Sequence, residues 1–134
     1  MNKKILVIED DSNILAGLQA KFRVEGMDVL INNGTEEAEE IINRINKEKP
    51  NYIILDLILP RVDGFELLRD IKSGGHGAKI PIFIFTNLTD KDSKEKCDTL
   101  GADYYFIKSD FNFDEFLEKI KKIIQNLEKE KSKK

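Results

Sequence analysis

A chain of 134 residues, 40% hydrophobic and 35% charged, is long enough to bury a core without covalent staples and fits one domain. Its formal charge of −3 gives no electrostatic case for binding nucleic acid. The single Cys97 excludes an intrachain disulfide and a cysteine metal cage, and the single His76 argues against histidine metal sites and triads.

The first residues, Met1 to Lys4, lead directly into the apolar run Ile5-Leu6-Val7-Ile8. That run is too short for a signal peptide or a membrane span, so a cytoplasmic location is expected. Three acids follow it: Glu9, Asp10 and Asp11. Ser12 can cap a helix whose apolar positions Ile14, Leu15, Leu18 and Phe22 recur at helical spacing, closed by Gly26. Met27 to Ile31 reads as a second strand. Asn32-Asn33-Gly34 is a turn, Thr35 with Ala38 matches part of a capping box, and Ala38, Ile41, Ile42 and Ile45 form a helical stripe.

Tyr52 to Leu55 is continuously apolar, as a strand covered on both faces must be. It delivers one carboxylate, Asp56, where the strand should end; the plainer reading is that Asp56 caps a turn. Pro60 and Asp63-Gly64 enforce a loop before a helix carrying Phe65, Leu67, Leu68 and Ile71, which stops at Gly74-Gly75. Ile80 to Phe85 is a fourth strand, with Pro81 near its start, ending at Thr86. A polar helix from about Asp90 to Leu100 has the weakest stripe. Tyr104 to Ile107 is a fifth strand, ending at Lys108. A last helix from about Asn112 buries Phe113, Phe116, Leu117, Ile120, Ile123, Ile124 and Leu127. The run Glu128 to Lys134 reads as a solvated, frayed tail, His76 as an exposed loop histidine and Cys97 as a small packing residue.

Strands alternating with helices at this spacing predict a doubly wound α/β domain with right-handed crossovers. All strand carboxyl ends then share one edge, where open parallel sheets place their ligand sites. That edge would carry Glu9, Asp10, Asp11, Asp56, Thr86 and Lys108. Carboxylates placed together repel unless a cation neutralises them, and Mg²⁺ (or Mn²⁺) suits one or two carboxylates plus a phosphate oxygen. With the ion bound, Asp56 could attack a phosphoryl donor, Lys108 could neutralise the transferred oxygens and Thr86 could hydrogen-bond them.

These residues resemble the receiver domain of two-component response regulators, in the single-domain form typified by chemotaxis receivers. The likeness covers nearly all of residues 3 to 127 and rests on Val7-Ile8-Glu9-Asp10-Asp11, Leu55-Asp56-Leu57-Ile58-Leu59-Pro60 with Asp63-Gly64, Thr86, and Gly101-Ala102-Asp103 leading to Lys108. It implies a flavodoxin-like five-stranded parallel sheet, order 2-1-3-4-5, with five helices, the receiver spanning 1–127 and a charged tail 128–134. It implies Asp56 as phosphoacceptor, and Asp10, Glu9 (through water), Asp56 and the Ile58 carbonyl around the metal. Thr86 and Tyr105 would be the switch pair and Lys108 the phosphate-binding lysine; Asp11 would begin the helix cap. Implied partners are a sensor histidine kinase or phosphotransfer protein and a downstream protein target reached through the α4-β5-α5 face. Neither membrane nor direct nucleic acid is among them, and a phosphorylation-dependent dimer is left open. Such a domain catalyses only its own phosphoryl transfer and dephosphorylation.

Three departures stand out. Ser109 replaces the proline that usually follows the lysine, so a cis peptide is not expected and Lys108 could reach the site by another loop path. Asn87 replaces a small residue and could narrow donor access. Ile58 and Leu88 place apolar side chains where they could exclude hydrolytic water, so a long-lived phosphorylated form is expected. The rivals are a pseudo-receiver that only docks partners, and enzymes on related folds. A haloacid-dehalogenase-type phosphatase wants an Asp where Ile58 stands, and a flavodoxin wants a hydroxyl-rich loop where three acids stand. No output segment follows the fifth helix, so either a stand-alone receiver or the receiver of a longer regulator is expected.

Overall fold

Tyr52-Ile53-Ile54-Leu55 forms the central strand β3, and all four side chains are buried. Continuous burial requires cover on both faces, and the chain supplies it. In the computed structural model, which describes residues 3–132, the elements follow in the order β1 (Lys4–Ile8), α1 (Ser12–Val24), β2 (Asp28–Asn32), α2 (Ala38–Glu48), β3 (Tyr52–Leu55), α3 (Gly64–Lys72), β4 (Ile82–Thr86), α4 (Lys91–Leu100), β5 (Tyr104–Ile107) and α5 (Phe113–Ser132). Short 3₁₀ turns stand at His76–Lys79 and Lys108–Asp110. Every strand pairing is parallel, and the sheet order is β2-β1-β3-β4-β5.

The period-two alternation of strand side chains divides the core. Ile5, Val7, Tyr52, Ile54, Phe83, Phe85 and Phe106 pack against Leu15, Leu18 and Phe22 of α1 and Phe116, Leu117, Ile120 and Ile124 of α5. Leu6, Ile8, Ile53, Leu55, Ile82 and Ile84 pack against Ile41 and Ile45 of α2, Leu67, Leu68 and Ile71 of α3, and Cys97 of α4. On the first face Phe85 and Phe116 stack with ring centroids 3.7 Å apart. Each fully buried side chain of this size contributes roughly 1.5–3 kcal/mol, so the two layers fix which strand ends meet.

Several boundaries differ from those read in the sequence. Asp11, as the resemblance implies, and not Ser12, is the N-cap of α1: its Oδ1 accepts from Asn13 N (2.9 Å) and Ile14 N (3.2 Å). Thr35 takes no part in capping α2; its hydroxyl donates to Asn33 Oδ1, and Glu37 holds the cap position. β4 begins at Ile82 rather than Ile80, because Pro81 has no N–H to donate and serves through its carbonyl, which accepts from Ile53 N. His76 is half-buried, with Nε2 2.8 Å from Pro50 O. α5 continues through Ser132, so the charged run from Glu128 to Ser132, read as a solvated, frayed tail, is helical. Glu128 accepts from the Tyr52 hydroxyl and pairs with Lys3 at 3.3 Å, while Lys131 lies over the Tyr52 ring. Those contacts supply the reason for the extra turn; Lys133 and Lys134 lie outside the described residues. Among the described residues no helix is long and apolar enough to cross a membrane.

Candidate functional site

The carboxyl ends of β1 and β3 are neighbours because Ile8 pairs with Leu55. Each strand contributes an acid immediately beyond that pair. Glu9 N donates to Asn32 O and Asp56 N to Ile8 O, both at 3.0 Å, so the sheet's hydrogen bonding continues through the two acids. Glu9 and Asp56 are buried, while Asp10 is exposed. One carboxylate oxygen from each of the three lies within 4.8 Å of the other two.

Lys108 reaches this group from the end of β5. Its Nζ donates to Asp56 Oδ2 at 2.8 Å and stands 2.7 Å from Glu9 Oε1. No cis peptide occurs among the described residues, and the 3₁₀ turn Lys108–Asp110 follows the lysine instead. The Phe85 ring lies beneath the ammonium, 5.6 Å from Nζ to its centroid. Burial pushes the Glu9 carboxyl up to about 7, against the hydrogen bond from Lys108, with the Asp56 charge adding to the rise. Burial works to lower the Lys108 ammonium, but its bonds to Asp56 and Glu9 outweigh that and hold it above the usual lysine value. The site therefore holds a cation against two buried acids.

The loop after Asp56 closes on itself. Ile58 N donates to Asp56 Oδ1 (3.2 Å), Ile58 forms an isolated bridge with Asp63, and Gly64 N donates to Leu57 O (3.1 Å). A Cβ on Gly64 would sit 2.3 Å from Leu57 Cα, so only glycine permits this approach. Asp63 then caps α3 through Phe65 N and Glu66 N. The Ile58 side chain is 52% exposed, pointing its apolar surface outward beside the pocket.

Thr86 ends β4, fully buried, in register with Ile107, the residue before Lys108. Its Oγ1 accepts from Leu88 N (3.4 Å), and the Tyr105 hydroxyl donates to Leu88 O (2.8 Å). Leu88 thus carries both expected switch residues on one stretch of backbone. Burial pushes the Tyr105 hydroxyl up to about 12, so it remains a donor. Leu88 is half-buried against the α2–α3–α4 core layer and Asn87 is exposed. Sequence reasoning named these residues but missed Phe85, which lies under Lys108. It also missed Asn32, whose buried side chain accepts from Gly34 N and donates to Glu36 Oε1. The Asn32-Asn33-Gly34 turn signal was the available clue to the second.

A donor set made only of carboxylate oxygen suits a hard divalent cation, so Glu9, Asp10 and Asp56 fit Mg²⁺ or Mn²⁺. Residues 5–121 match the response regulator receiver domain family. The chain is 34% identical over 108 residues to the alkaline phosphatase synthesis transcriptional regulatory protein PhoP of Bacillus subtilis, covering 81% of this chain and 43% of that protein. A receiver domain protein (CheY-like) from Methanospirillum hungatei superposes with a TM-score of 0.78 at 30% identity, covering 97% of this chain and 99% of the other. The phosphorylated cyanobacterial phytochrome response regulator RcpA gives 0.79 at 26% identity, covering 92% and 91%. The chain belongs to the response regulator receiver domains of two-component systems, which are signalling modules rather than classical enzymes. It spans about half the length of the curated relatives it matches.

Proposed function

We propose that the chain accepts a phosphoryl group on Asp56 and, so modified, controls a protein partner. The observation that carries this reading is a buried Asp56 carboxylate held at 2.8 Å by Lys108 beside a second buried acid, at the edge where a donor can reach it. A carboxylate oxygen of Asp56 forms a bond to phosphorus while the bond from phosphorus to the donor's leaving atom breaks, and the leaving group departs with that electron pair. The product is an acyl phosphate. Lys108 supplies positive charge to the transferred oxygens, and Thr86, at the end of the adjacent strand, supplies a hydroxyl for them.

Glu9, Asp10, Asp56 and the Ile58 carbonyl are the residues that would hold Mg²⁺ or Mn²⁺, which when bound neutralises charge on phosphate oxygens. Because receivers of this family take part in two-component systems, a sensor histidine kinase or a phosphotransfer protein is the proposed donor. The relative PhoP is named as a transcriptional regulatory protein, which supports a downstream target in gene control for this chain.

The modification adds roughly −1.5 to −2 charges to the mouth of the sheet. Thr86 and Tyr105 both bond to Leu88, so a Thr86 drawn toward the phosphoryl group pulls on the β4–α4 connection and frees Tyr105 to change position. Converting a mostly-off to a mostly-on population takes about 5.5 kcal/mol of differential stabilisation. The output face is α4-β5-α5. Ile58 and Leu88, each apolar and two residues beyond Asp56 and Thr86, are the residues proposed to shield the acyl phosphate from water and make the modified form long-lived; loss of the label within seconds in Mg²⁺, with no phosphatase, argues against that. Incubation with acetyl phosphate and Mg²⁺ should add one phosphoryl mass to the intact protein. An unchanged mass under those conditions, with EDTA as the control, rejects the proposed function.

A further inference from the structure

Glu37 holds the N-cap position of α2 in extended backbone, yet its side chain makes no capping hydrogen bond. A short N-cap side chain such as Asp or Ser normally satisfies one of the orphan N–H groups of the first turn, which the longer glutamate does not do. Here it turns away, and Glu37 Oε1 accepts from Arg61 Nε at 2.7 Å and from Arg61 Nη2 as well. Arg61 belongs to the β3–α3 loop, three residues after Ile58. The second contact between the same two segments lies at Gly34. A Cβ there would stand 2.9 Å from Leu59 Cδ2 and 3.1 Å from Pro60 Cδ, and the glycine has φ +78. The Asn32 side chain accepts from Gly34 N and fixes that turn from below. The β2–α2 turn thus forms a seat and a clamp for Leu59-Pro60-Arg61.

We propose that Arg61, Glu37 and Gly34 are positioning residues for the metal site, holding the β3–α3 loop so that Ile58 and Asp56 present oxygen to one cation. This rests on the metal-site reading above. The loop's internal bonds, Ile58 N to Asp56 Oδ1 and Gly64 N to Leu57 O, set its shape. Leu57, Leu59 and Val62 pack the loop's inner side against the α2–α3–α4 core layer, and at its outer side the Gly34 seat and the Arg61–Glu37 pair tie it to the β2–α2 turn. The side chains are more than half exposed, so the pair adds little to global stability. Its effect falls on loop placement.

The test is Mn²⁺ binding to the full chain, followed by the paramagnetic resonance signal of the free ion, with no phosphoryl donor present. Arg61→Ala should bind Mn²⁺ about three- to tenfold more weakly, below the roughly ten- to hundredfold loss seen when a direct partner of a metal ligand is removed. Gly34→Ala should weaken it as well, and Arg61→Lys, which keeps the charge, should bind more tightly than Arg61→Ala. Lys21→Ala removes another exposed pair, Lys21–Glu118 at 3.1 Å, and should leave Mn²⁺ affinity unchanged. Equal affinity in the parent and Arg61→Ala, with both folded by circular dichroism, overturns the positioning role and leaves the metal site standing. A parent chain that binds no Mn²⁺ overturns the metal site and this inference together.

Discussion

The Lys108 ammonium stands 2.8 Å from Asp56 Oδ2, although 52 residues separate the two in the chain, and the same nitrogen lies 2.7 Å from Glu9. The two acids lie beside each other because β1 and β3 pair in register, and Lys108 reaches them from the far side of β4. One cation therefore faces two buried acids, and a metal ion would take over part of the task of neutralising them.

Removing that cation should be costly when no metal is present. Lys108→Ala leaves buried carboxylates facing each other, and breaking a buried pair in this way costs about 3 kcal/mol. Urea unfolding in EDTA should show the loss, and millimolar Mg²⁺ should recover part of it. Equal midpoints for parent and variant in EDTA would contradict the view that Lys108 neutralises the pocket.

At the opposite end of the sheet, the Tyr52 hydroxyl donates to Glu128 and ties α5 to β3. Burial acts to raise the Glu128 carboxyl, but the Tyr52 hydrogen bond and the charges of Lys131 and Lys3 outweigh it and hold it below the usual 4.5. A depressed carboxyl favours the folded state fully above its ordinary value, and the benefit is lost as pH falls through the folded one. Glu128→Gln should therefore flatten the acid limb of a stability-against-pH curve. Tyr52→Phe should cost about 1 kcal/mol at neutral pH. Urea melts from pH 3 to pH 7 measure both.

Cys97 is fully buried on α4, and burial together with the Asp98 charge pushes its thiol up to about 11. The thiolate is the reactive form. An aromatic disulfide reagent should label the native protein slowly at pH 8 and react promptly after unfolding in urea. Rapid labelling of the native state would show that α4 opens readily from its core layer.

How much of this was readable in advance depends on what each residue does. β1 and β3 were legible because two-sided burial demands unbroken apolar runs, and β5, a half-buried edge strand, carries an apolar run as well. Asp56 and Lys108 were legible because each directly follows such a run. α4 gave little periodic signal, since Cys97 is its one buried side chain; it is defined instead by the Asp90 cap, whose carboxylate accepts from Ser93 N and Ser93 Oγ, and by closure at Gly101. The last turns of α5 were read as a solvated tail because a charged run looks solvated, while Glu128 in fact meets a buried tyrosine. Arg61 and Glu37, 24 residues apart on different elements, leave no pattern at all. Periodicity reports which face is buried, and it says nothing about which polar groups meet across a loop.

The most direct measurement compares the parent chain with Asp56→Asn after incubation with acetyl phosphate and Mg²⁺, reading the mass of the intact proteins and the modified peptide. The parent should gain one phosphoryl group, located to the peptide containing Asp56, and Asp56→Asn should gain none while keeping its fold. Equal labelling of the two proteins would place the acceptor elsewhere and refute the role assigned to Asp56.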